Sequence, residues 1–242
     1  DKYKRGSKYL IDIWGADHGG YTKRMSAAIE ALTEGDAQFT VKLCQMVKLI
    51  SDGKPLKMSK RSGDFVTLSE MVDQVGSDSI RFMMLYRKNE APLEFDFQKA
   101  TEQSKDNPVF YVQYAHARIS SVLRKLDEYK LKFDLSSFTE CKFELLDSEH
   151  ELDLIKKILD WSSIINTSVN LYEPHRIAYY LYELASSFHS LWNQGKIDSK
   201  LKFINEGNLD ITYARLALIS ATQKTIKSGL NLLGVSAPDE MK

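Results

Sequence analysis

The pattern of hydrophobic and polar positions changes character near residue 100. Before that point, short apolar or alternating runs predict β-strands. They occupy residues 9–14, 41–49 and 93–97. Helical spacing follows the first strand over 21–34 and recurs over 67–76 and 78–88. A strand, a glycine-containing turn and a helix make half of a doubly wound nucleotide-binding unit, so this part of the chain is predicted to be α/β.

Beyond residue 96 the strand signals nearly vanish and long helical spacing replaces them. Apolar residues recur every three or four positions in four stretches, 109–129, 149–172, 175–192 and 209–233. Pro108 is expected to interrupt any helix that enters from Gln98. The predicted fold is therefore α/β followed by all-α: a partial Rossmann-type fold over 1–100, then a helical bundle over 101–242.

Composition and charge narrow the classes of function. Hydrophobic residues make up 43% of the chain and charged residues 27%, as in folded soluble proteins. The 33 basic residues balance the 33 acidic ones, which excludes the strongly basic surface of a non-specific nucleic-acid binder. No apolar run reaches the ~18 residues of a membrane span, and the first residues lack the apolar core of a signal peptide. Two cysteines, Cys44 and Cys141, without a Cys/His cluster of zinc spacing favour a reducing, cytoplasmic setting.

The sharpest chemical feature is the pentapeptide Lys57-Met58-Ser59-Lys60-Arg61. Two lysines three residues apart can place two ammonium groups around a polyphosphate. Attack on the α-phosphate of ATP builds negative charge on the departing pyrophosphate, which preorganised cations stabilise. A solvated basic loop is the alternative explanation for a run of charges. Five consecutive residues of this kind favour a functional, phosphate-binding loop over a chance run of charges.

The same pentapeptide resembles the second signature loop of class I aminoacyl-tRNA synthetases. Its surroundings resemble arginyl-tRNA synthetases in several blocks that follow the order of that family. The blocks are Trp14-Gly15-Ala16-Asp17-His18 with Tyr21 and Arg24, Lys57–Leu68, Arg81-Phe82, Phe95-Asp96, Asp106–Arg118, Ala214–Gly234, and Ala237-Pro238 with Met241. The resemblance covers nearly the whole chain. It implies ATP-dependent formation of arginyl-adenylate and transfer of arginine to tRNA(Arg).

The resemblance also implies which residues carry the first step. The loop residues expected to be catalytic are Lys57, Met58, Ser59 and Lys60. ATP, accompanied by Mg²⁺, is expected to lie beside Lys60 against Gly15, Asp17 and His18, with no metal held by the protein itself. The alternative is that Asp17 caps the following helix and His18 satisfies backbone groups at its start.

For the helical half, the resemblance implies a DALR-type domain that binds the anticodon loop of tRNA(Arg). RNA loops are recognised by splaying bases onto aromatic rings and by bonding their edges. The residues expected to contact this loop are Tyr111, Tyr114, His116, Arg118 and Met241. The alternative for Tyr111 is core packing, because it begins the apolar stripe of its helix. The three tyrosines within 179–182 are expected to pack between helices, since three rings in four positions cannot face one way.

The resemblance has one decisive gap. The sequence lacks the earlier His-Ile-Gly-His-type motif, the family's N-terminal module and an initiator Met. We therefore expect the carboxyl-terminal portion of a larger, monomeric enzyme. Residues 1–100 would form the last part of the catalytic domain with a region that contacts the tRNA stem, and 101–242 the anticodon-binding domain. This portion is not expected to activate arginine alone. Two alternatives remain: a non-catalytic RNA-binding module derived from a class I synthetase, and a cysteinyl-tRNA synthetase. The latter needs thiolate and imidazole zinc ligands, and this chain has one Cys near its catalytic half.

Overall fold

The computed structural model describes residues 1–56, 66–133, 138–139 and 141–241, which form two compact units. One, the α/β unit, combines the described residues up to 56 with Arg87–Phe97. The other, the helical unit, combines Val66–Tyr86 with the described residues from Gln98 onward. Across all of these described residues, no helix is both long and apolar enough to cross a membrane.

The first half of the α/β unit is a parallel strand–helix–strand arrangement. Its elements are β1 (Tyr9–Gly15), a 3₁₀ turn (Ala16–Tyr21), α1 (Thr22–Thr33) and β2 (Gln38–Cys44). β1 and β2 run parallel, with Trp14 beside Leu43. Parallel strands need a crossover connection, which the 3₁₀ turn and α1 supply. The predicted strand, turn and helix are confirmed.

A second, three-stranded sheet completes the α/β unit. β3 (Val47–Ser51) lies between β4 (Lys54–Pro55), which is antiparallel to it, and β5 (Leu93–Asp96), which is parallel. The prediction of one strand over 41–49 is therefore wrong. The alternation of side chains continues through the sequence, but the backbone leaves the first sheet at Gln45, whose N–H donates to the carbonyl of Asn89 at 2.8 Å.

The helical unit contains most of the chain. Its elements are α2 (Leu68–Val75), α3 (Ser77–Tyr86), α4 (Phe97–Thr101, which begins at the division), α5 (Pro108–Arg124), α6 (Glu149–Leu159), α7 (Trp161–Leu171), α8 (His175–Ile197) and α9 (Leu209–Leu232), with 3₁₀ turns at Lys125–Asp127, Phe143–Leu145 and Ser199–Leu201. Thr67 and Glu70 form a reciprocal capping box at the start of α2. Asn107 caps α5, and Pro108 stands at the first helical position, where its missing N–H costs nothing. The predicted interruption at Pro108 is confirmed, whereas the single helix predicted over 149–172 divides at Asp160.

The described residues of the helical unit form an apolar core where α5, α8 and α9 meet. Its fully buried side chains include Ile119, Leu184 and Ile226. Phe82 of α3 is also fully buried in this core. Residues 66–86 therefore belong with the helical unit, and the compact units differ from the predicted division at residue 100.

A buried ion pair joins three parts of the helical unit. The Nε of Arg215 on α9 donates to the Glu151 carboxylate on α6 at 2.6 Å, and both side chains are almost completely buried. The Nη1 of Arg215 also donates to the carbonyls of Lys200 and Lys202. Arg215 thus fixes the connection between α8 and α9 to the core, because a buried guanidinium needs all of these acceptors.

Candidate nucleic-acid interface

The residues predicted to line the ATP side lie together in the α/β unit. Gly15 ends β1, and Asp17 and His18 follow in the 3₁₀ turn with exposed side chains. Gly15 occupies the cap position of that turn, and no side-chain hydrogen bond caps it. The alternative role of Asp17 as a helix cap therefore finds no support. No atom of the described residues lies within 4 Å of a Cβ built on Gly15, so among them nothing prevents a ligand from approaching the backbone at the carboxyl end of β1.

The predicted catalytic residues Lys57, Met58, Ser59 and Lys60 lie outside the residues that the structure describes. Among the described parts of the chain, no group of three His, Cys, Asp or Glu side chains is placed to hold a metal ion.

The predicted RNA contacts in the helical unit centre on the guanidinium of Arg118. It lies 4.1 Å from the ring centroid of Tyr114 and 5.1 Å from that of Trp192 on α8. Its Nη2 donates to the hydroxyl of Tyr114 at 3.0 Å. All three side chains are partly exposed. We call Tyr114, Arg118 and Trp192 the aromatic–arginine cluster; it offers two rings and a planar cation, the groups on which nucleic-acid bases stack.

The buried imidazole of His189 is neutral and bonds the guanidinium of this cluster. Its Nε2 lies 3.2 Å from the carbonyl of Tyr111, which can only accept, so Nε2 carries the proton. Its Nδ1 then accepts from Nη1 of Arg118 at 3.0 Å. Burial, which disfavours the charged form, lowers the pKa of His189 to about 4. The guanidinium of Arg118 is therefore hydrogen-bonded to a neutral imidazole.

Other rings continue the surface on both sides of the cluster. Phe110 stacks on Tyr114 at 5.6 Å between ring centroids. Tyr111 contacts both His189, at 4.5 Å, and Tyr182, at 5.1 Å. The ring of Tyr111 thus packs between α5 and α8, as its alternative role predicted, while remaining partly exposed.

His116 lies on the face of α5 opposite Tyr114, because two residues of an α-helix correspond to about half a turn. His116 is 1% exposed, and its Nδ1 donates to the carbonyl of Pro238 at 2.9 Å. Burial also lowers the pKa of His116. The prediction that His116 contacts RNA is therefore corrected: its imidazole anchors the carboxyl-terminal segment instead.

Further bonds tie the carboxyl-terminal segment to α5 and to Asp78 of α3. Gln113 and Asp78 both bond Ser236, and Ser120 donates to Asp239 at 2.8 Å. Glu240, the neighbour of Met241, pairs with Arg124 at 3.4 Å. The structure therefore places Met241 near the carboxyl end of α5, apart from the aromatic–arginine cluster.

Sequence reasoning missed the contribution of α8 to the cluster. Tyr182, His189 and Trp192 are spaced by seven and three residues, so they share one stripe of a helix. That spacing was visible, but only the fold shows that this stripe faces Tyr114 and Arg118. Tyr180 points elsewhere, stacking on Trp161 at 5.2 Å, so the tyrosines of 179–182 do diverge as predicted.

Residues 112–241, which include the aromatic–arginine cluster, match the model of the DALR anticodon binding domain. The whole chain is 54% identical to a protein named arginine–tRNA ligase from Parvibaculum lavamentivorans and 55% identical to one of the same name from Beijerinckia indica. It spans 42% and 41% of the length of these relatives.

Solved structures are similar to this chain over nearly its whole length. A crystal structure described as an arginyl-tRNA synthetase from Campylobacter jejuni superposes over 100% of this chain and 50% of its own, with a TM-score of 0.84 and 32% identity. The arginyl-tRNA synthetase of Thermus thermophilus superposes over 97% of this chain and 41% of its own, with a TM-score of 0.68. At 22% identity, this second likeness concerns the fold alone.

Proposed function

This chain belongs to the DALR anticodon-binding family and corresponds to the carboxyl-terminal region of arginyl-tRNA synthetases, and from this we propose that its helical unit binds the anticodon loop of tRNA(Arg). In the full-length protein this binding would accompany ATP-dependent ligation of arginine to that tRNA. The observation that carries the proposal is the aromatic–arginine cluster, which lies within residues 112–241.

The chemistry of the cluster suits an unpaired RNA loop. Every base has a flat face that can stack on Tyr114 or Trp192, and stacking on an aromatic side chain contributes roughly 1–3 kcal/mol per base. Among the described residues, no carboxylate pairs with Arg118, so its charge remains available for a phosphate or for the face of a base. A chain with zero net charge needs such a local site, since general attraction to phosphate is weak.

The test is a titration of the chain with a labelled RNA hairpin that carries the anticodon loop of tRNA(Arg). We expect Tyr114→Leu and Trp192→Leu each to weaken binding by roughly tenfold to a hundredfold, because each removes a stacking ring. Arg118→Lys keeps the charge but loses the plane, so we expect a smaller loss. Tyr129→Leu is the matched control, because Tyr129 is an exposed ring outside the cluster.

Two results would contradict this proposal. Equal binding of the hairpin and of one whose loop bases are replaced by abasic sites would exclude loop recognition. Unchanged affinity in both ring variants would exclude the cluster as the site. Melting temperatures of all variants are measured alongside, because Tyr114 and Trp192 are partly buried.

For the α/β unit we propose the nucleotide side of the adenylation site. Lys57 and Lys60 would stabilise the pyrophosphate that leaves ATP, and ATP with its Mg²⁺ would approach Gly15, Asp17 and His18. The exposure of Asp17 and His18, and the open space beside Gly15, support this proposal. Ligands of doubly wound folds bind beyond the carboxyl ends of the strands, where these three residues lie. The full-length enzyme is expected to act as a monomer in the cytoplasm.

A further inference from the structure

The helical unit contains a cavity near the carboxyl end of α5. The cavity has a volume of about 230 Å³, and we call it the amphipathic cavity. Its walls are formed by Leu123, Leu126, Phe133, Phe138, Ser220, Gln223 and Lys224. An engineered cavity of about 150 Å³ in another protein holds a benzene molecule. The amphipathic cavity is therefore large enough for one six-membered ring that carries a substituent.

One side of the amphipathic cavity is apolar and partly aromatic. Leu123 belongs to α5, and Leu126 to the 3₁₀ turn that follows it. The ring centroids of Phe133 and Phe138 lie 5.5 Å apart. Phe133 also stacks on Tyr213 of α9 at 6.3 Å, so its ring is held against the helical core. Such walls favour a flat apolar body, because aromatic rings prefer offset or edge contacts with one another.

The other side of the cavity is polar and comes from one face of α9. Ser220 is followed at the third and fourth positions by Gln223 and Lys224, a spacing that places all three side chains together. The amide of Gln223 donates to the hydroxyl of Ser120 at 2.6 Å, which fixes its orientation. Among the described residues, no Asp or Glu lines the cavity. This side therefore offers a positive charge and neutral polar groups, a combination that suits an anion.

The hydroxyl of Ser220 indicates that this side binds a polar group. Ser220 is 6% exposed, and within the described parts of the chain its hydroxyl bonds no other group. Thr222 and Thr225 on the same helix differ from it, because each donates to the carbonyl four residues earlier at 2.9 Å. A buried hydroxyl without a partner is costly. Ser220 is therefore placed to bond a polar atom inside the cavity.

Lys224 supplies the positive charge at the edge of the cavity. Its side chain is exposed, and its Nζ lies 5.3 Å from the ring centroid of Phe138. No carboxylate of the described residues pairs with this ammonium group. The contact with the ring keeps the ammonium beside the cavity, where it can pair with an anion.

We propose that the amphipathic cavity binds a small carboxylate with a single aromatic ring. The ring packs against the two phenylalanines and the two leucines, and the carboxylate accepts from Ser220 and pairs with Lys224. A phosphate ester with nearly two negative charges would face only this one cation, so a carboxylate fits better. Leu123 lies five residues after Arg118, about 140° around α5, so this site is distinct from the proposed anticodon-loop site.

The test is a fluorine NMR titration of this chain with para-fluorobenzoate and with its neutral counterpart, para-fluorobenzamide. We expect para-fluorobenzoate to bind with a Kd of about 1 mM, the affinity of a ligand of ten non-hydrogen atoms at ordinary efficiency. The amide should bind about tenfold more weakly, because it fills the cavity but brings no charge to Lys224. Neither titration contains RNA or ATP, so the outcome does not depend on the proposed function.

Two variants locate the binding site. Lys224→Gln should weaken para-fluorobenzoate by about tenfold and leave para-fluorobenzamide unchanged, because it removes only the charge. Lys227→Gln is the matched control, since Lys227 is an exposed lysine of α9 that does not line the cavity. Ser220→Leu should abolish binding of both probes, because the larger side chain occupies the cavity. Its melting temperature should not fall, and if the variant does not fold, Leu123→Phe replaces it.

Three results would overturn the proposal. The first is no binding of para-fluorobenzoate up to about 10 mM, and the second is equal affinity for the two probes. The third is unchanged binding of para-fluorobenzoate in both Lys224→Gln and the cavity-filling variant, which would place the probe elsewhere. In a separate titration, displacement of the probe by the anticodon-loop hairpin would assign the cavity to RNA and would also overturn the proposal.

Discussion

The two units of this protein differ in how far their described residues bury one another's apolar side chains. In the helical unit, the side chains at the meeting of α5, α8 and α9 are buried by one another. Among the described residues of the α/β unit, β2 alone pairs with β1, and Tyr9, Ile11 and Ile13 on one face of β1 are exposed. Both units have ordinary patterns of hydrophobic residues in sequence. The contrast therefore lies in which other residues pack against those hydrophobic positions.

The difference teaches that helices and parallel strands depend on neighbours in different ways. A helix satisfies its backbone internally, so a few amphipathic helices close a core among themselves. A parallel strand satisfies its backbone only through neighbouring strands, which the chain reaches by crossover connections. One stretch of sequence can therefore contain helices that bury one another's apolar faces and a strand whose apolar face stays exposed.

The largest effect is expected from the ion pair inside the helical unit. Arg215→Ala should cost about 3–5 kcal/mol of unfolding free energy, because it leaves the buried carboxylate of Glu151 without its partner. Urea titration followed by circular dichroism measures this loss. Lys142→Ala is the control, since Lys142 pairs with Asp210 in solvent, and we expect it to change little. Similar losses of unfolding free energy in both variants would show that Arg215 and Glu151 are less buried than the structure indicates.

A matched pair of isoleucines tests the comparison directly. Ile119→Ala should cost about 2–5 kcal/mol, because Ile119 is fully buried and its truncation leaves a cavity in the helical core. Ile13→Ala should cost less than about 0.5 kcal/mol in this chain alone, because the side chain is already exposed. Chemical denaturation of both variants gives the two values. Comparable costs would contradict the contrast between the units.

The next prediction separates activity from stability in the α/β unit. In the full-length protein, Lys60→Ala should lower kcat for adenylate formation by about a hundredfold, since loss of one preorganised charge costs roughly 3 kcal/mol in the transition state. Arginine affinity should stay similar. Arginine-dependent pyrophosphate exchange measures the rate, and a wild-type rate would remove Lys60 from the catalytic step.

The smallest effect concerns protons in the interior of the helical unit. Because the pKa of His189 falls from its ordinary 6.5 to about 4, the unfolded chain binds a proton in that range that the folded chain does not. The associated stability is complete above pH 6.5 and is lost as the pH falls towards 4. At pH 5 the loss should reach about 2 kcal/mol. His189→Gln should flatten this part of the pH profile in thermal melts; an unchanged slope would mean that His189 is hydrated.

Several features could be predicted from sequence because they depend on local chemistry. Pro108 interrupts the helix because its ring has no N–H, and Thr67 with Glu70 caps α2 through bonds three residues apart. The helical spacing of α5, α8 and α9 marks their buried stripes. These interactions join residues that are close in sequence, so they do not depend on the rest of the fold.

Other features depended on partners distant in sequence. The strand predicted over 41–49 is two strands, because Asn89, more than forty residues away, bonds the backbone at Leu43 and Gln45. His116 and Arg118 looked equivalent on one helix, yet Pro238 covers the first and Trp192 and His189 surround the second. Spacing along α5 separates its faces but does not say what lies against each.

By itself, the sequence determined the approximate spans of α1, α5, α8 and α9, the strands β1 and β5, the place of the basic pentapeptide in the sequence and the likeness to arginyl-tRNA synthetases, since these depend on residue identity and spacing. Only the tertiary structure decided that α3 joins the helical core, that α8 completes the aromatic–arginine cluster, and that β1 keeps a bare face. The reason is physical: burial and the sharing of charge are properties of side chains that meet, and the residues that meet here are separated by tens of positions in the chain.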